Sequence, residues 1–127
     1  MTPRGEGPLR VREFPMTKYM FLYHHPSDLD RTPSPEEMQA MMGAWQAWHT
    51  EFKANILDMG DGLKPSGKVL HPDDSVTDGP FAEAKEVVAG YSVVQAESYE
   101  HALTVARNCP VRHIPGARVE VRELFGH

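Results

Sequence analysis

The 127-residue sequence has a single cysteine, Cys109, so no disulfide can form within the chain. A lone thiol fits a reducing compartment, and the lack of any CxxC pair removes thiolate zinc sites. Cys109 is expected to act as a small apolar residue at a helix end. No apolar run approaches the roughly 18 residues that a membrane-spanning helix needs. There is no excess of basic residues. Thirteen Lys and Arg stand against 18 Asp and Glu, a net charge of −5, which repels phosphate backbones and makes nucleic acid a poor partner. The signatures GxGxxG, Walker loop, GxSxG and HExxH are missing, which argues against nucleotide-dependent and serine-hydrolase mechanisms. No internal repeat or low-complexity tract occurs. What remains is one small cytoplasmic domain, large enough to bury a core without staples.

Hydropathy patterning then sets the elements. Residues 1–15 hold Pro3, Gly5, Gly7, Pro8 and Pro15 among charges and read as a flexible lead, with Met16 as a candidate true start and 16–127 as the domain. Thr17–His24 reads as a strand covered on both sides, with Tyr19, Phe21 and Tyr23 on one face and Met20, Leu22 and His24 on the other. Ser34-Pro35-Glu36-Glu37 is a helix start with a capping box. The helix is expected to reach about Asn55, with Met38, Met41, Met42, Trp45, Trp48, Phe52 and Ile56 as its apolar stripe and His49 inside that stripe. Short extended pieces follow near 57–63 and 68–70, and a strand end at Val76–Thr77.

Val87–Ala96 is the clearest strand. Gly90 inside it marks a bulge or a close backbone approach. Ser98 caps a second helix to about Asn108, with Tyr99, Ala102, Leu103, Ala106 and Cys109 inward and His101 outward. The final strand, 117–125, alternates Val119, Val121 and Glu123 against Arg118, Glu120, Arg122 and Leu124. The element order predicts an α+β fold, a ferredoxin-like split βαβ sandwich: an antiparallel sheet with two helices on one face. The other face needs a cover, and a second copy of the chain is the simplest one.

The segment VTDGPFAEAKEVVAGY, residues 76–91, closely resembles the signature of the DGPF proteins, a branch of the YCII-related family. Lys18-Tyr19-Met20, Ser34-Pro35-Glu36-Glu37-Met38, Gly62-Leu63-Lys64-Pro65, the stretch 102–110 and Val119-Glu120-Val121-Arg122 extend the resemblance over about 17–124. It implies a homodimeric α/β barrel of ferredoxin-like subunits, and a histidine of the first helix working with an aspartate of the DGPF loop. In this sequence those are His49 and Asp78. Dehalogenation of chlorinated aromatics is attributed to one branch, and DGPF proteins often accompany extracytoplasmic-function sigma factors. The resemblance therefore implies either acid–base chemistry on a small metabolite or a non-catalytic ligand-binding or regulatory module.

The residues themselves allow both readings of the pair. An imidazole near its ordinary pKa of about 6.5, oriented by a carboxylate, is a proton-transfer unit, yet a histidine on an apolar stripe is more often a packed core residue. Asp78, Gly79 and Pro80 also suit a plain turn, with Phe81 as its anchor. Tyr19, Trp45, Lys85 and Tyr91 are candidate substrate contacts, Lys85 for an anionic group, while Glu83, Lys85 and Glu86 also suit a solvated face. His24, His25, Asp28 and Asp30, and separately His71, Asp73 and Asp74, lack a recognised metal-ligand spacing, and adjacent strand histidines point to opposite faces. No metal or cofactor is expected.

Overall fold

The structure, a computed structural model, describes residues 15–28, 33–80 and 85–126. The flexible lead except Pro15, and also Asp30, Phe81 and Glu83, lie outside the described residues. The elements are β1 (Thr17–Pro26), α1 (Pro35–Glu51), β2 (Ile56–Gly62), β3 (Gly67–Leu70), β4 (Val76–Gly79), β5 (Glu86–Ala96), α2 (Tyr99–Arg107), a 3₁₀ turn (Pro110–His113) and β6 (Arg118–Glu123). Four strands form one sheet in the order β2-β5-β1-β6, every pair antiparallel. This is the ferredoxin-like arrangement with two helices, and β3 and β4 form a separate hairpin inserted between β2 and β5. No helix among the described residues is long and apolar enough to cross a membrane.

The alternation of β1 decides the layers. Tyr19, Phe21 and Tyr23 are buried toward the helices, while Met20, Leu22 and His24 face the other way. Their partners on β5 and β6 follow the same parity: Val94, Ser92 and Gly90 on one side, Glu123, Val121 and Val119 on the other. Trp48 from α1 and Ala102, Val105 and Ala106 from α2 close the core over this face. Cys109 is buried against it, as expected of a small apolar residue.

Both helix starts are chemically determined. Ser34 Oγ accepts from the Glu37 amide at 3.1 Å and Glu37 Oε1 accepts from the Ser34 amide at 2.9 Å, a complete capping box with Pro35 at the first position. Ser98 Oγ accepts from the His101 amide at 3.1 Å.

Three expectations change. α1 ends at Glu51, because Asn55 turns to the sheet: its carbonyl accepts from Gln95 N at 2.7 Å and its Nδ2 donates to Gln95 O at 3.0 Å. His101 is engaged, with Nδ1 accepting from the Glu97 amide at 3.1 Å and Nε2 lying 3.2 Å from Asn55 Nδ2. Met38 and Met42 are exposed: Met42 is about 100° round the helix from Met41, and Met38, on the Trp45 side, lies in the first turn of α1, two turns before Trp45 meets the core.

Candidate functional site

β1 carries its inward series one residue beyond the core. After Tyr19, Phe21 and Tyr23, the same parity brings His25 to the helix side, half-buried at the strand's end. His24 takes the other face, where its Nε2 lies 2.9 Å from Glu120 Oε1. The β1–β5 register slips between Tyr23 and His24, opposite Gly90. A Cβ on Gly90 would lie 3.0 Å from Asp61 O and 3.3 Å from the Tyr23 ring. The glycine lets β2 and the tyrosine crowd together there, as the sequence expects.

Three hollows meet at His25. A half-open cavity of about 310 Å³ lies between α1 and the sheet, with Tyr23, Met41, Trp45, Met59, Tyr91 and Ile114 in its wall. Gly60, Asp61 and Gly62 of β2 form its edge. A groove of about 730 Å³ runs from it along α1, past Met38, Met41 and Met42. A cleft of about 610 Å³ opens on the other side, between the end of the sheet and the hairpin, with Lys64, Lys68 and Glu86 in its wall. His25 lines all three.

The cavity wall is stiffly held. Tyr23 and Trp45 meet edge to face, ring centroids 5.6 Å apart, and Trp45 meets Trp48 in the same way at 5.5 Å. The Tyr23 hydroxyl donates to Ser92 Oγ at 2.6 Å, and Ser92 Oγ donates to Met59 O at 2.6 Å. Burial, and after it the Cys109 thiol, pushes the Tyr23 phenol far above the usual tyrosine range, so it stays neutral and anchors the wall. Burial also holds the His25 imidazole below the usual histidine range. It is therefore uncharged at neutral pH, with a free ring lone pair to accept a proton.

A protein-family model described as the YCII-related domain matches residues 16–125. The chain belongs to the YCII-related family. No curated protein matches it.

This YCII-related domain does not bring together His49 and Asp78. His49 is half-buried in the last turn of α1, just before the start of β2, and lines none of the three hollows. Asp78 lies in the hairpin that follows the other end of β2, where Lys68 Nζ donates to its carboxylate at 2.6 Å and both side chains are largely exposed. Gly79 ends β4 and Pro80 follows it, both at the cleft. Of the expected substrate contacts, Trp45 and Tyr91 line the cavity. Tyr19 is buried in the core, edge to face with Tyr99 at 4.9 Å. Lys85 is exposed at the start of β5, its carbonyl accepting from the Ser27 amide at 2.8 Å.

Among the described residues no group of three His, Cys, Asp or Glu is placed to hold a metal ion. His71 Nε2 lies 2.8 Å from Thr77 Oγ1, and Asp73 Oδ1 accepts from the Ser75 amide and hydroxyl, so this cluster holds its own turn. His25 is the residue that sequence reasoning weighed only as a metal ligand. Its signal was present in the odd-numbered series 19, 21, 23, 25, which carries it to the helix face.

Proposed function

We propose that this YCII-related domain binds a small, mainly apolar metabolite in the cavity between α1 and the sheet, and that His25 transfers a proton to or from it. The observation that carries this is the convergence of the three hollows on one half-buried, uncharged imidazole. A general base needs a lone pair, a pKa close to working pH and a substrate held against it. Asp61 lies at the edge of the same cavity, with Oδ1 accepting from the Gly62 amide at 2.8 Å, and is the carboxylate nearest to hand for such a pair. Among the described residues neither His49 nor Asp78 lines this cavity, and Asp78 is paired with Lys68.

The test is a metabolite screen by thermal shift, followed by deuterium exchange into the hits, read by NMR. The wild type should speed exchange of an acidic proton in a bound hit, and His25→Gln should lower that rate about 10²–10⁴-fold while the hit still binds. The rate should fall as pH drops through the lowered His25 pKa, because protonation removes the base. Hits that bind with no catalysed exchange would leave a non-catalytic ligand-binding module instead.

The reading includes a homodimer. Met20, Leu22 and Val93 lie on the sheet face away from the helices, and Val88 at its end is 40% exposed. Two such faces packed together remove this apolar surface from water. Light scattering at micromolar concentration should give twice the 14.3 kDa chain mass; a value equal to one chain would rule the dimer out.

A further inference from the structure

We infer that the ligand is a carboxylate: an apolar, ring-sized body in the cavity, with its anionic head in the cleft against Lys64 and Lys68. This rests on the cavity reading above and adds the chemical class. The volume sets the body. About 310 Å³ is roughly ten water volumes, room for one ring and a short chain. The edge-to-face pair of Tyr23 and Trp45 offers such a ring an aromatic wall.

The charges set the head. The cavity and the cleft share His25 and Ala89 in their walls, and the cleft carries two ammonium groups. Lys64 makes no ion pair among the described residues, and Lys68 is paired with Asp78 alone. Among the described residues the one carboxylate in the cleft wall, Glu86, is held by Arg118, which keeps its pKa below the usual carboxylate range. Glu86 therefore repels an incoming anion less than a free carboxylate would. A single negative charge suits this balance better than a dianion. The imidazole, uncharged between the two compartments, is then left facing the carbon next to the head group.

Asp78 acquires a role of opposite sign to the one expected of an oriented acid–base pair. It competes with the ligand for Lys68. Removing its charge should tighten binding, whereas removing a catalytic carboxylate would destroy turnover.

The probes are 3-phenylpropanoate and its uncharged amide, titrated by tryptophan fluorescence, since Trp45 is in the wall. The wild type should hold the carboxylate more tightly than the amide, and that preference should shrink as salt rises from about 0.05 to 0.5 M. Lys64→Gln and Lys68→Gln should each weaken the carboxylate about two- to five-fold, and Asp78→Asn should strengthen it by a similar factor, with the amide unmoved. All three side chains are exposed, so circular dichroism should show an unchanged fold. Equal binding of amide and carboxylate, or lysine variants that keep the preference, would overturn the head-group assignment and leave the cavity reading intact. If neither probe binds while unrelated hits displace into the cavity, the class is wrong. If no ligand perturbs Trp45 at all, the cavity reading falls with it.

Discussion

Trp48→Ala should destabilise the domain by about 3–5 kcal/mol, the range for truncating a large buried aromatic. Trp48 is 2% exposed and sits at the junction of every layer. Its ring stands 6.4 Å from Phe21 of β1 and 5.5 Å from Trp45. Its Nε1 donates to Val105 O at 3.0 Å, a carbonyl in the last turn of α2 that otherwise accepts, among the described residues, only a long bond, 3.3 Å, from the Asn108 amide. One side chain therefore joins α1, the sheet and α2. Truncation leaves a cavity, strips two aromatic contacts and removes a buried donor from that carbonyl. Against a total of about 5–15 kcal/mol for a domain, that is a large share. Urea denaturation should show the midpoint fall with little change in slope. Trp48→Phe separates the parts, keeping most of the ring and losing only the hydrogen bond, and should cost about 1–2 kcal/mol beyond the smaller volume. A loss below about 1 kcal/mol for Trp48→Ala would mean that the core closes without it.

The elements were legible because their causes are local. The capping box at Ser34 and Glu37, the β-branched run of β5 and the alternation of β1 and β6 are written within a few residues. What failed depended on distant partners. Asn55 left the helix for Gln95, forty residues on, and His101 turned inward to the same asparagine. In the candidate site, Trp45 and Tyr91 were named from their chemistry and do line the cavity. The pairing of His49 with Asp78 came from family resemblance, and spacing along a chain carries no information on which end of β2 each lies beyond. His49 lies only about 40° round the helix from Trp45, but it sits one turn further along α1, where none of the three hollows reaches. His25 could have been found by following the strand parity past Tyr23. Its neighbour His24 masked it, by making the two look like a ligand pair.

The hairpin shows the same division. Lys68↔Asp78 and Gly67↔Gly79 are register partners, so strand pairing alone brings the ammonium and carboxylate together. Gly79 and Pro80 thus line the cleft, and Asp78 reaches it only through its ion pair with Lys68, placements that a turn motif gives no hint of.

Gly60→Ala should cost about 3 kcal/mol or more and lose ligand binding with it, because the strain is in the backbone. Gly60 has φ of +74°, in the left-handed region. An added Cβ would stand 1.7 Å from the carbonyl oxygen of Tyr91 and 2.6 Å from its carbon. Neither atom can rotate aside, so β2 must move off β5 where their register is already irregular, between Asp58 and Asp61. The Gly60 amide, which donates to Asp58 Oδ1 at 2.8 Å, moves with it. Gly60, Asp61 and Tyr91 all line the cavity, so its shape changes at the edge beside His25. Gly43→Ala is the control. Gly43 lies in α1 with nothing within 4 Å of an added Cβ, and the substitution should stabilise by about 0.5–1 kcal/mol, through helix propensity. The two substitutions add the same methyl group and should shift the urea midpoint in opposite directions. If Gly60→Ala stayed within about 0.5 kcal/mol of the wild type and still bound ligand, the close approach of β2 to β5 would not be what shapes the cavity.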